Sequence, residues 1–234
     1  MHHIEVFHQG ARLVLEFEDD VYQPGNLTGI LADIMDIKSG DRVADVGCGT
    51  GYLGIVAALL GAAEVVGIDP EPNAIHWTAH NAQLNGVPNV RALLGGALDP
   101  VERLRFDVIL TLPPQMPFST NFNPWRWGGT DGTDVILRII DQARTTLHRG
   151  GRLFLLHAAL ADPEKVRRAL GAAGFTWTIL RTVEREFVPA ELERLSPGLT
   201  DYLLGLMAAG DAQVYTKGQK RYYLIWFYRA VLEN

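Results

Sequence analysis

The stretch from Arg42 to Leu160 restricts the fold more than any other, because short apolar runs alternate there with helix-length amphipathic segments. RVADVG, EVVGID, VRALLG, FDVILTL and RLFLLHAAL are apolar on successive residues, as strands covered on both faces are. Between them TGYLGIVAALLG, PNAIHWTAHNAQLNG and TDVILRIIDQARTTLHRGG carry helical spacing and end at glycines. DPEKVRRALGAAGF adds a helix begun by Asp162-Pro163 and ended by Gly174. This order predicts an α/β fold: a Rossmann-like, seven-stranded, mostly parallel sheet with helices on both faces.

The flanks complete the outline. HIEVFHQGARLVLEFE alternates apolar and polar residues about Gln9-Gly10, which predicts an N-terminal β-hairpin within residues 1–26. VYQPGN reads as a turn with Asn26 as a helix cap, and LTGILADIMDIK as the helix it opens. TWTILRTVEREFV and RYYLIWFYRAVL read as two final strands. Residues 189–220 between them are too long for a hairpin loop and are expected to be a helical insertion before the last strand. With 234 residues, 47% of them hydrophobic, the chain is expected to fold as a single domain over residues 1–234.

Composition narrows the partners. A net charge of −6 argues against a phosphate-backbone ligand, so nucleic acid is not an expected partner. Cys48 is the single cysteine, which excludes an intramolecular disulfide and a cysteine zinc cluster. The segment MHHIEVFHQG lacks a signal-peptide pattern, and no apolar run approaches the ~20 residues of a membrane span. A cytoplasmic protein with no membrane partner is the expectation. No metal is expected either. His2, His3 and His8 have no convincing ligand spacing, and His76 and His80, at i and i+4, lack a visible third ligand.

The segment ADVGCGTGYLG follows the first buried strand and opens a helix. Gly47, Gly49 and Gly51 allow a sharp turn and close approach of a ligand to the backbone. A dinucleotide fingerprint would need a further glycine at position 52, where Tyr52 stands. Tyr52 either stacks on a ligand or starts the helix face; Cys48 reads as a small filler in the turn. Asp45 precedes the glycines and Asp69 ends the next strand. The first can attract a positive group and the second can accept both hydroxyls of a ribose.

DVGCGTG followed by GIDP resembles the S-adenosylmethionine (SAM) site of class I methyltransferases. The resemblance implies SAM as cofactor, Asp45, Gly47, Gly49 and Gly51 around its methionine part, and Asp69 on its ribose. Three further stretches resemble the branch that methylates glutamine in release factors. VYQPGNLT is similar to its entry motif, FDVILTLPPQ to its Asn-Pro-Pro-Tyr strand end, and WRWGGTDGTDVILRII to its Gly-Gly-x-Asp-Gly segment. By that resemblance Leu112, Pro113, Pro114 and Gln115 are the substrate-binding positions.

The departures fall at those positions. Leu112 replaces the amide-clamping Asn, Gln115 the aromatic residue, and Leu27 an acid of the entry motif; Ala97 stands where an acid or amide is frequent, with Asp99 two residues late. Methyl transfer from SAM still needs only alignment and exclusion of water, which together can supply ~7–11 kcal/mol of barrier reduction. The expectation is therefore a SAM-dependent methyltransferase acting on a small-molecule acceptor, with a protein substrate as the alternative. The alternatives are a glutamine methyltransferase of the release-factor type and a non-catalytic SAM-binding scaffold. Gln115 and His157 are the candidates for orienting or deprotonating the acceptor; for each, a purely structural role stays open. Phe118, Phe122, Trp125 and Trp127 suggest an aromatic lid, Asp131 and Asp134 helix caps, and residues 189–220 a roof or a homodimer face.

Overall fold

A computed structural model describes residues 1–233, and the chain divides into two compact units. The first takes in residues 1–112, 142–154 and the last few, the second residues 113–141 and 155–229.

The first unit opens with β1 (His2–His8) and β2 (Ala11–Phe17), antiparallel with Ile4 opposite Leu15. Gln9 and Gly10 both have positive φ, 51° and 87°, the turn that matches strand twist in a two-residue hairpin loop. Helix α1 spans Asn26–Ile34, shorter than the apolar pattern through Ile37 implies. Met35 is already extended, and the Asp41 carboxylate accepts from Lys38 N–H, which holds this segment in a turn. The N-cap is Gly25, without a side-chain bond, so Asn26 begins the helix rather than capping it.

Strand and helix then alternate: β3 (Arg42–Val46), α2 (Tyr52–Leu59), β4 (Glu64–Asp69), α3 (Pro72–Leu84), β5 (Val90–Leu94) and β6 (Phe106–Thr111). β3 pairs in parallel with β4 on one side (Asp45 opposite Gly67) and β6 on the other (Val46 opposite Thr111). The strand order therefore reverses at β3, and ligands of such sheets bind outside the strand carboxyl ends at that point. Helix α4 (Asp134–Thr146) runs without a loop into β7 (Leu147–Ala158), so LHRGG is strand rather than the helix end that its glycines suggest.

In the second unit, the end of β7 leads to α5 (Pro163–Ala172), capped as expected by Asp162, whose carboxylate accepts from Lys165 N–H. β8 (Phe175–Glu186), α6 (Pro189–Leu195), α7 (Leu199–Ala209), β9 (Tyr215–Lys217) and β10 (Lys220–Leu232) follow. The sheet order is β5-β4-β3-β6-β7-β10-β8, the seven strands expected, and β9 pairs with β10 as an eighth. Residues 189–220 are thus helical only as far as Ala209. Their end folds back on β10, with Tyr215 opposite Tyr222, through a turn at Gly218 (φ 65°). Among the described residues no helix is long and apolar enough to cross a membrane.

Candidate functional site

In the first unit the loop after β3 carries three left-handed glycines: Gly47 at φ 77°, Gly49 at 52° and Gly51 at 82°. Asp69, at the end of β4, accepts from Gly49 N–H at 3.0 Å and from Glu71 N–H at 3.0 Å. Its carboxylate thereby ties the loop to the neighbouring strand end. Burial raises its pKa, against which those two backbone bonds act. A Cβ built on Gly47 would meet nothing within 4 Å, so the loop faces open space there, while its φ excludes ordinary side chains. A glycine cradle beside a ribose-competent acid fits an adenosine-bearing sulfonium.

Asp45 lies differently from Asp69. Its carboxylate is 2% exposed and accepts from Gly54 N–H at 2.8 Å, in the first turn of α2. Burial pushes its pKa up to about 7, with the nearby Asp69 charge adding to the shift. This carboxylate anchors the helix that the glycine loop enters. A carboxyl of unfolded pKa ~3.9 that titrates near 7 when folded gives up its proton on unfolding between those values. The SAM-free protein is therefore expected to lose stability as pH rises through that window. Asp45→Asn keeps an oxygen for Gly54 N–H and is expected to be the more stable form at pH 8. Urea melts from pH 4.5 to 8 check this; parallel profiles for the two proteins would show that Asp45 does not titrate there.

Cys48 is buried, as a small filler would be, and accepts from the Thr78 hydroxyl; burial raises its thiol pKa. Tyr52 turns its hydroxyl to the imidazole of His8, 2.6 Å away, so it starts the helix and packs on the hairpin. Of the other histidines, His2 pairs with Asp19, His3 with Glu16, and His80 with Glu16 at 2.9 Å. Asp99 accepts from the amide of Gln142, beside Ala97 at φ 50°. Among the described residues no three acidic, histidine or cysteine side chains group as a metal site.

β6 brings the chain out beside this loop. Thr111 is opposite Val46 and donates its hydroxyl to Val46 O at 3.0 Å, so Leu112 leaves the sheet one residue beyond, as Gly47 does. Leu112 has an apolar side chain at the position where the resembling branch carries its amide clamp.

In the second unit Pro114 and Gln115 lie against Gly128 and Gly132 of the Gly-Gly-Thr-Asp-Gly segment. Met116 N–H donates to Arg126 O, Gly128 N–H to Met116 O, and Phe118 N–H to Gly129 O. The Gln115 amide is directed at main chain: its oxygen accepts from Ala158 N–H at 2.5 Å, and its nitrogen lies 3.3 Å from both Pro113 O and Leu156 O. Of the two readings open for Gln115, this is the loop staple. His157 is fully buried, and its Nε2 lies 2.5 Å from Ala161 O. A carbonyl only accepts, so Nε2 carries the proton. Burial lowers the pKa to about 4, and Nδ1 has no partner. That is the packed neutral histidine, the structural reading of this residue. Asp131 caps the approach to α4, accepting from Thr133 N–H at 3.0 Å and pairing with Lys165.

The aromatic segment after Gln115 is roofed by the insertion. Phe118 packs edge-on to Phe122 and Tyr202, Trp127 Nε1–H donates to Phe118 O, and Tyr202 OH donates to Thr130 O. Leu192, Leu199 and Leu203 form a buried cluster with Leu160 and Phe187, against which Met116, Phe118 and Phe122 pack.

A switch-point glycine loop with an acid at the second strand end, and Tyr52 where a dinucleotide fingerprint has its last glycine, is the arrangement of a SAM-dependent methyltransferase. The chain belongs to the methyltransferase small domain family, whose model matches residues 23–174. It is 32% identical over 168 residues to a putative protein N5-glutamine methyltransferase of Methanocaldococcus jannaschii, covering 69% of this chain and 84% of that one. It is 38% identical over 96 residues to the ribosomal protein L11 methyltransferase of Acetivibrio thermocellus, 41% of this chain and 30% of that one. The chain thus matches less than a third of that relative's length. Among solved structures, the precorrin-6y C5,15-methyltransferase of Geobacter metallireducens superposes with a TM-score of 0.58 at 12% identity, covering 93% and 94% of the two chains. A T. thermophilus 16S rRNA methyltransferase, in complex with AdoMet and guanosine, gives 0.58 at 18% identity, covering 97% of this chain and 50% of that one. The protein is an enzyme of this class, with S-adenosylmethionine as cofactor.

Two contributors escaped the sequence reading. Asn81, fully buried, donates to Thr50 O at 2.9 Å, and His8 bonds Tyr52. The only sequence signal for Asn81 was its spacing of four from Asn85 on a predicted helix.

Proposed function

We propose that this enzyme methylates a nitrogen on a protein side chain, and that residues 1–234 work as one methyltransferase domain. In this reading the glycine loop serves the cofactor and the Pro113-Pro114 segment serves the acceptor. Asp69 holds the ribose, and Gly47, Gly49 and Gly51 present their backbone to the methionine part. Bound SAM supplies an electrophilic methyl group on a good leaving group.

One observation carries the protein reading: the 32% identity to a relative named as a protein glutamine methyltransferase extends over most of both chains. The Pro-Pro segment by which the chain resembles that branch is present, with Gly128 close against Pro114 and Gln115. What differs is recognition. Leu112 cannot hydrogen-bond an amide, and the Gln115 amide is already held by main chain. The acceptor is therefore held by main-chain carbonyls, such as that of Pro113, and by apolar packing. A primary amide is not the only group that suits this arrangement.

The small-molecule acceptor is the second reading, favoured by Leu112 and by the roof of α6 and α7 over the aromatic segment. Incubation with methyl-labelled SAM and separate pools of ribosomal proteins, release factors, protein-free metabolites and RNA separates the two. Label is expected in a protein fraction. Label confined to the metabolite pool would replace the protein reading with the small-molecule one.

A further inference from the structure

The family match begins at residue 23, so the hairpin lies outside it. β1 and β2 form a sheet of their own. Among the described residues the outer edge of β2 meets no strand; it meets two asparagines four residues apart, Asn81 in the last turn of α3 and Asn85 at its C-cap. Asn85 accepts from Val14 N–H at 2.9 Å and donates to Val14 O at 2.6 Å. Asn81 accepts from Glu16 N–H at 2.8 Å and donates to Glu16 O at 3.0 Å. Residues i and i+2 turn the same edge of a strand, and residues i and i+4 share a helix face. The two side-chain amides thus stand in for the alternating N–H and C=O of a neighbouring strand.

Asn81 differs from Asn85 in its remaining bond: Asn85 returns its second N–H to Asn81 O at 2.8 Å. The second N–H of Asn81 donates to Thr50 O, inside the glycine loop, at 2.9 Å. An amide oxygen and two N–H groups make up the side chain's polar inventory, and all of it is engaged with main chain. A second tie arrives from the other strand. Asp33 lies 2.7 Å from His8 Nδ1, and His8 Nε2 lies 2.6 Å from the hydroxyl of Tyr52. Thr50 and Tyr52 flank Gly51, where an added Cβ would come within 3.2 Å of Thr78 Cα. The loop has little freedom to move there.

We infer that Asn81 and the His8–Tyr52 pair are positioning residues that make the N-terminal hairpin a working part of the SAM loop. The inference rests on the SAM reading of that loop. Asn85 docks the hairpin without touching the loop; Asn81 and Tyr52 connect the two. Their contribution is to the loop conformation that the cofactor meets, not to contact with it.

Calorimetric titration of SAM into the full chain tests this, with thermal melts and a kcat and KM split run alongside. Asn81→Ser and Tyr52→Phe are each expected to raise the SAM dissociation constant about tenfold, the worth of one good hydrogen bond. The KM for acceptor should stay near that of the wild type. Asn85→Ala is expected to lower the melting temperature as much as Asn81→Ser does while leaving SAM affinity within about twofold of wild type. Tyr52→Phe changes one hydroxyl and keeps the test valid if the Asn81 variant does not fold. Equal weakening by all three variants would reduce the effect to general destabilisation and overturn the inference. Unchanged SAM affinity in both the Asn81 and Tyr52 variants would also overturn it. A wild-type protein that binds no SAM would remove the cofactor reading itself.

Discussion

Asp69→Ala is expected to weaken SAM binding by about 10- to 150-fold, from ~1.5–3 kcal/mol for hydrogen bonds to a charged group. Two losses combine. On the proposed assignment the ribose hydroxyls lose their carboxylate acceptor, and Gly49 N–H loses the bond that holds the glycine loop to the end of β4. Asp69→Asn keeps one acceptor oxygen and should fall between the alanine variant and the wild type. Calorimetry on the purified proteins reads both. An alanine variant that binds SAM as tightly as the wild type would remove Asp69 from the ribose.

Gly128→Ala should act on turnover rather than on cofactor binding. The added Cβ would stand 2.5 Å from Gln115 Cα, 2.6 Å from Gly132 O and 2.8 Å from Pro114 O. All three are backbone atoms, so the Pro-Pro-Gln segment has to shift. Overpacking of this kind costs ~1–3 kcal/mol in stability. A displacement of about 1 Å at an acceptor site can cost ~10²-fold in rate. SAM affinity should be retained, because the glycine loop and Asp69 are untouched. Gly205→Ala is the control: its Cβ meets nothing within 4 Å in α7, and removing a helical glycine should stabilise the protein by roughly 0.5–1 kcal/mol. Gly128→Ala with wild-type turnover would show that the segment is not part of the acceptor site.

Sequence by itself determined the alternating order of strands and helices, the hairpin, the glycine loop and its acids. Each of these is a local pattern. Consecutive apolar residues mark strands covered on both faces, and Gln9-Gly10 can adopt the paired positive φ values of a tight hairpin. Asp162 precedes Pro163 where a cap belongs, and Gly47, Gly49 and Gly51 take the left-handed φ that only glycine adopts freely. Even locally the pattern misled in places. The apolar spacing through Ile37 outran α1, because Met35 turns extended and the Asp41 carboxylate holds Lys38 in a turn.

Tertiary structure alone decided what the polar side chains with distant partners do. Gln115 reads as substrate contact or loop staple with equal ease, until Ala158 N–H, forty-three residues away, is found on its oxygen. His157 sits at a strand end where a base could stand, yet burial against Ala161 leaves it neutral. Asp45 and Asp69 look alike in sequence; one is enclosed beneath α2 and the other ties the loop to β4. Asn81 gave no sign that it spans from β2 to Thr50, 65 and 31 residues away. Backbone conformation follows from neighbours in sequence. A side-chain hydrogen bond across such distances follows from which main-chain groups packing leaves without a strand partner, and no local pattern encodes that.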